Sequence, residues 1–176
     1  MDYENRPLRS NEAEVLISGR DLVLISMSYG VIECLKIEKI LNSVGIKASV
    51  INLRSVSPID SNTILEEVKK TRRAVIFDTS HIHFGVASEI SALIHENLLE
   101  HLLKPCMRIG NLFQPAPSAP FLAKKYYPDI RQVIEKIIIH FEFKTDLKLL
   151  EKILEETNKS LVRFGDQPDI GEVGPF

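Results

Sequence analysis

Apolar residues run almost without a break through Leu22-Val23-Leu24-Ile25-Ser26-Met27-Ser28, the pattern of a strand covered on both faces rather than one. Shorter runs of the same kind lie at Ala48 to Leu53, Ala74 to Phe77 and Cys106 to Ile109; β-branched residues such as Val50 and Ile51 suit a pleated, buried surface. Between the runs the apolar period lengthens to three and four residues. From Tyr29 onward Ile32, Leu35, Ile37, Ile40, Leu41 and Val44 fall inward on a predicted helix, and Gly45 supplies its stop. Further helices are predicted at Ser61 to Lys70, Val86 to Leu99 and Ile130 to Phe141. The last carries Val133, Ile134, Ile137, Ile138 and Phe141 inward.

The junction Leu53-Arg54-Ser55-Val56-Ser57-Pro58-Ile59-Asp60 shows how these elements connect. Pro58 ends the strand because it has no N–H for the ladder and biases Ser57 towards extended geometry. Asp60 or Ser61 can then accept from the free N–H groups of the next helix. Strand, turn and helix in that order are half of a βαβ unit, and the unit repeats. Crossovers are right-handed in about 98% of such units, so the economical order places Ala48 to Leu53 on one side of Leu22 to Ser28, with Ala74 to Phe77 and then Cys106 to Ile109 on the other. A further strand, Ala13 to Ile17, precedes Ser18-Gly19-Arg20-Asp21, a turn too short for a crossover helix, and should be antiparallel. The expected fold is a three-layer α/β/α domain with a mostly parallel five-stranded sheet and one antiparallel N-terminal strand.

Length and charge narrow the function. The 176 residues suffice for one substantial core. We divide them into a linker over 1–12, a domain over 13–141, and an amphipathic helix with a flexible tail over 142–176. A net charge of −2 favours no nucleic-acid backbone; the short basic cluster Lys69-Lys70 with Arg72-Arg73 reads as a solvated helix end. No apolar run approaches the roughly twenty residues of a membrane span, and the first twenty lack a signal core, so the cytoplasm is the expected location. Cys34 in a helix and Cys106 in a strand read as small buried residues of a reducing compartment.

Several of these motifs together resemble a known family. Ala13-Glu14-Val15-Leu16-Ile17, Gly19-Arg20-Asp21-Leu22-Val23-Leu24-Ile25-Ser26, the Leu53 to Asp60 junction and Phe84-Gly85-Val86-Ala87-Ser88-Glu89-Ile90 are similar to the C-terminal domain of transketolase-type enzymes. The nearest pattern is the beta subunit of thiamine-diphosphate-dependent 2-oxo acid dehydrogenases of the pyruvate and branched-chain type. Ala116-Pro117-Ser118-Ala119-Pro120, Tyr127-Pro128-Asp129 and the final apolar helix resemble the end of that subunit. The likeness runs from about Glu12 to Phe141.

The resemblance implies assembly more than chemistry. In such enzymes thiamine diphosphate and Mg are held by two other domains, through a Gly-Asp-Gly stretch, an Asn-Asn pair and an activating glutamate. None of these has a counterpart in this sequence, so no cofactor is expected to bind this chain alone, and no catalytic or metal-ligating residue is assigned. The implied partners are a second copy in a homodimer, a subunit carrying the cofactor domains, and an acyltransferase core. The segment Phe113 to Phe121, made extended by Pro115, Pro117 and Pro120, offers candidate interface residues Phe113, Pro117 and Phe121, with Tyr127 beyond.

The residues themselves point to one crevice, beyond the carboxyl ends of the strands where the winding direction reverses. Ser28, Tyr29 and Gly30 would line one side and Asp78, His81 and His83 the other. The two histidines beside an acid are types suited to proton transfer or metal binding. The simpler reading is a polar loop facing solvent or an adjoining domain, since no third ligand is evident. Ser28-Tyr29-Gly30 lacks dinucleotide spacing, and Asp78, Ser80 and His81 lack a nucleophile elbow. Glu33, Glu38, Glu66 and Glu67 read as solvated helix faces. Leu147, Leu149, Leu150, Ile153, Leu154 and Leu161 mark one more amphipathic helix, expected first to pack on the domain, next to seal a surface buried in relatives, and last to dock a partner. Three functions follow, in order of preference: a detached C-terminal domain completing a thiamine-dependent enzyme, a free-standing small-ligand-binding or regulatory module, and an enzyme built on Asp78, His81 and His83.

Overall fold

The computed structural model describes residues 11–119, 122 and 125–160, with the side chains of 156–160 left aside. Most of the expected linker, Phe121, Leu161 and the expected tail lie outside the described residues. Among the described residues the strands and longer helices follow in the order β1 (Glu14–Ile17), β2 (Leu22–Ser26), α1 (Tyr29–Ser43), β3 (Ala48–Asn52), α2 (Ser61–Thr71), β4 (Ala74–His81), α3 (Val86–Leu98), β5 (Met107–Asn111), α4 (Ile130–His140) and α5 (Leu147–Ser160). A single turn of 3-10 helix, Leu99–His101, trails α3.

The strands form one sheet in the order β1-β3-β2-β4-β5. Leu24 lies beside Val50 on β3 and beside Val75 on β4, all in parallel register. Glu14 faces Asn52 across the antiparallel β1–β3 pair, as the short Ser18 to Asp21 turn requires. Alternate residues supply two cores. Leu22, Leu24, Val50, Val75 and Phe77 pack towards α1, α4 and α5, whereas Val23, Ile25, Ile51 and Ile76 pack towards α2 and α3. These are the three expected layers.

The helix ends have local causes. Asp60 caps α2: its Oδ1 accepts from the N–H of Thr63 at 3.2 Å and its Oδ2 from Thr63 Oγ1 at 2.7 Å. The same Oδ2 accepts from the N–H of Ala13 at 3.0 Å, tying the start of β1 to the start of α2. Asp129 caps α4 through the N–H of Gln132. Leu150 and Leu154 of α5 are buried in the first core with Ile153 packed beside them, so this helix packs on the domain. Leu147 and Leu149 face solvent.

Several expectations are corrected. β2 ends at Ser26 rather than Ser28. β4 continues past Phe77 to His81, because His81 pairs with Asn111 after an irregularity and Asn111 Nδ2 donates to the carbonyl of Thr79 at 2.7 Å. Glu33 and Glu38 are not solvated: they are 5% and 7% exposed, because α1 is flanked by both α4 and α5. Glu33 lies 3.7 Å from Lys36, and Asn42 donates to Glu38 Oε1. Ile32 and Leu35 are only half-buried. Glu67, half-buried, accepts from Ser49 Oγ at 2.7 Å. Arg73 also leaves the basic cluster, its guanidinium lying 4.9 Å over the Phe143 ring while Nη1 donates to the carbonyl of Asp21.

Candidate functional site

The carboxyl end of β2 is built for close packing. Ser26 Oγ donates to the Phe77 carbonyl of β4 at 2.6 Å, sealing the gap between the two strands where the winding reverses. A Cβ on Gly30 would stand 2.2 Å from Ser26 Oγ and 3.3 Å from the Phe77 ring, so only glycine lets α1 begin this close to the sheet. Ser28 is exposed and Tyr29 half-buried at the lip. Cys34, one turn into α1, is fully buried, and burial drives its thiol far above the ordinary range while Ser26 opposes the shift through a hydrogen bond.

On the other side the chain fills the crevice itself. Asp78 is 2% exposed; its Oδ1 accepts from the N–H of Ser80 at 2.8 Å and its Oδ2 from the N–H of Ala87 at 3.1 Å. Ala87 lies in the first turn of α3, so the carboxylate sits where a phosphate would be held in a nucleotide-binding sheet, satisfying a free N–H and facing the positive end of the helix dipole. The turn from Asp78 to Val86 wraps tightly around that carboxylate. A Cβ on Gly85 would come within 2.8 Å of Asp78 Oδ2, Ser80 Oγ and the His81 carbonyl. The depression left among Ile25, Met27, Leu53, Asp78, Val86 and Ile90 holds no space the size of a water molecule.

The histidines part company with the acid. His81 Nε2 is hydrogen-bonded to Tyr126 Oη at 3.1 Å, and its ring stands edge-on to Phe113 at 5.5 Å. His83 meets Phe113 edge-on at 5.3 Å and Phe84 at 6.5 Å. The structure thus gathers His81 and His83 with Phe84, Phe113 and Tyr126 into an aromatic cluster, and leaves the Asp78 carboxylate bonded to the first turn of α3. Among the interface candidates, Phe113 is exposed, Pro117 and Tyr127 are half-buried, and Tyr127 stacks edge-on with Tyr126 at 4.9 Å. Phe121 lies outside the described residues. Sequence reasoning missed Phe84 and Tyr126 as members of this cluster; the signal for Phe84 was an aromatic residue next to a glycine at the mouth of a helix.

These donors do not fit a thiamine cofactor with its metal. Both carboxylate oxygens of Asp78 accept from backbone N–H groups, and among the described residues no group of three or more His, Cys, Asp or Glu side chains is placed to hold a metal ion. Cys106, its thiol pushed up to about 11 by burial, is not an activated nucleophile. No helix among the described residues is long and apolar enough to cross a membrane.

The sheet end of this α/β/α domain thus carries packing groups beside exposed aromatics. The family model for the transketolase C-terminal domain matches residues 11–133, and the chain belongs to that family. It is 37% identical over 108 residues to the mitochondrial pyruvate dehydrogenase E1 component subunit beta of Dictyostelium discoideum, covering 61% of this chain and 30% of that protein. It is 30% identical over 133 residues to the acetoin:2,6-dichlorophenolindophenol oxidoreductase subunit beta of Bacillus subtilis, covering 76% of this chain and 38% of that protein. A solved split gene transketolase, an inactive beta4 tetramer, shares the fold with a TM-score of 0.67 at 21% identity, over 82% of this chain and 45% of that one. The chain therefore spans about a third of the length of these curated relatives.

Proposed function

We propose that this chain is the C-terminal assembly domain of a thiamine-diphosphate-dependent 2-oxo acid dehydrogenase, whose thiamine diphosphate and Mg are held by other domains. The observation that carries this reading is the filled crevice: where a sheet of this topology receives a small ligand, Asp78 and the Gly85 turn occupy the space with the chain's own atoms. A domain with no room for a ligand there, and with aromatic side chains exposed at the same end, contributes surface rather than catalysis. Its partners on this reading are a second copy, a subunit carrying the cofactor domains, and an acyltransferase core. The two unpaired thiols suit a reducing compartment, with the cytoplasm as our reading, although several relatives are named as mitochondrial.

Calorimetric titration of the purified chain with thiamine diphosphate and magnesium should show no saturable heat. The chain co-expressed with a polypeptide bearing the pyrimidine and diphosphate domains should copurify with it and support cofactor-dependent 2-oxo acid decarboxylation. Saturable micromolar binding by the chain alone, or full activity of the other polypeptide without it, would overturn the reading.

A further inference from the structure

The turn between β4 and α3 is pinned at both ends. At Ile82 the N–H donates to the Asn111 carbonyl of β5 at 3.1 Å, and the Ile82 carbonyl accepts from Arg108 Nη1 at 3.2 Å. β5 comes this close because residue 110 is glycine: a Cβ on Gly110 would stand 3.0 Å from Ile82 Cα. At the other end Asp78 Oδ2 accepts from the Ala87 N–H, and Gly85 is wedged against Asp78, Ser80 and the His81 carbonyl. Only His83 and Phe84 are left to join the two pins. Phe84 absorbs the mismatch with a left-handed backbone, φ 59°, a region costly for a bulky residue. Its side chain is 94% exposed, so no burial of its own offsets that cost. Strain of this kind persists only where the surroundings impose it. Arg108 does so from both flanks, because the Nη1 that holds the Ile82 carbonyl also donates to Ser88 Oγ of α3 at 2.7 Å.

We propose that the 82–85 turn is a two-state latch: Arg108 holds it in the strained form that presents Phe84, and release of Arg108 from the Ile82 carbonyl lets Phe84 return to an ordinary backbone conformation. Both acceptors of Nη1 are neutral, a carbonyl and a hydroxyl, so the hold is that of one or two hydrogen bonds and is comparable in size with the strain it opposes. That near balance is the condition for two populated forms. The latch shapes the carboxyl end of the sheet. In the held form Phe84 and His83 stand 6.2 Å and 5.3 Å from the Phe113 ring, and these contacts are lost on release. The latch is a property of this chain alone, whatever the domain joins.

Amide hydrogen exchange of the full chain, followed residue by residue by NMR, tests this. Two amides report on the turn: Ile82, bonded to the Asn111 carbonyl, and Ser88, bonded to the Gly85 carbonyl. Arg108→Met should speed exchange at both at least tenfold, while Ile25 in the middle of β2 exchanges as in the wild type. Phe84→Asn added to Arg108→Met should bring both amides back to within about threefold of the wild type, because asparagine accepts the left-handed backbone and removes the drive to open. An Arg108 that merely supported the fold would show no such rescue. Arg108→Lys keeps a donor on a flexible stem; it should give a smaller increase with the same rescue, and it carries the test if Arg108→Met does not fold. Unchanged exchange at Ile82 and Ser88 in the Arg108 variants, or an increase that Phe84→Asn leaves in place, would overturn the proposal. Neither result bears on the thiamine titration above, so the two readings fail separately.

Discussion

Asp78 on β4 accepts a hydrogen bond from the backbone N–H of Ala87, in the first turn of α3, at 3.1 Å. This contact makes the acid of a supposed polar loop part of the frame, because the carboxylate is 2% exposed and both of its oxygens accept from backbone N–H groups. Asp78→Ala leaves a buried N–H without a partner and removes the charge facing the helix dipole. It should cost about 1 to 3 kcal/mol in urea denaturation. His81→Ala, which removes a hydrogen bond to Tyr126 at a half-buried site, should cost less, at most about 1.5 kcal/mol. A milder effect for Asp78→Ala than for His81→Ala would show that the acid is not structural.

Leu150 and Leu154 make α5 part of the core. Both are buried against the α1 and α4 side of the sheet, so Leu150→Ala or Leu154→Ala should each cost about 2 to 5 kcal/mol. Leu147 sits on the same helix but faces solvent, and Leu147→Ala should stay within about 0.5 kcal/mol. Equal thermal midpoints for the Leu147 and Leu154 variants would mean that α5 does not dock as described.

The central strands were legible because they are covered on both faces: where Leu22 to Ile25 and Ala48 to Ile51 are buried throughout, periodicity and burial coincide. The order of the parallel strands followed from crossover handedness, and the antiparallel β1 from a turn too short for a helix. What was hidden depended on distant parts of the chain. Glu33 and Glu38 look like surface residues until α4 and α5, a hundred residues later, close over α1. The separation of Asp78 from His81 was hidden by the reading of 78–83 as a loop. Once that stretch is extended, residues three apart point to opposite faces, so Asp78 turns to α3 and His81 to Tyr126.

The thiols should report the same packing. Cys34 is fully buried and its pKa is driven far up, while burial pushes Cys106 up to about 11. At pH 8 alkylation by iodoacetamide should be slow at Cys106 and negligible at Cys34 in the native protein, with both reacting readily in denaturant. Mass-spectrometric counting of labelled cysteines against time checks this, and rapid native labelling of Cys34 would contradict the packing of α1.

Asp60 couples two elements, so its loss should be felt at both. Burial works to raise its pKa, but hydrogen bonds from the Thr63 hydroxyl and from the N–H groups of Thr63, Ala13 and Asn62 outweigh it and hold the carboxyl below the usual range. A pKa depressed by folding contributes stability that is present above the unfolded value and lost as pH falls through the folded one. Asp60→Ala should cost about 0.5 to 2 kcal/mol near neutral pH. The gap from the wild type should narrow on acidification below the ordinary aspartate range. A gap independent of pH would mean that the carboxylate charge plays no part in the tie.

Glu38 should behave in the opposite sense. Burial raises its pKa above the usual glutamate range, against weaker opposition from the Asn42 hydrogen bond and the charge of Lys47. Between the unfolded and folded values the native state binds more protons than the unfolded chain, so stability falls as pH rises through that window. The ionised carboxylate is therefore a net burden at neutral pH. Glu38→Gln keeps the carbonyl that accepts from Asn42 Nδ2 and removes the charge. It should be more stable than the wild type at pH 7, and the advantage should vanish below the ordinary glutamate range, where the wild-type side chain is protonated in both states. Urea unfolding of the two proteins at pH 7 and at acid pH decides the matter: a variant less stable than the wild type at neutral pH would show that Glu38 is held in α1 by a favourable charge interaction rather than tolerated there by packing.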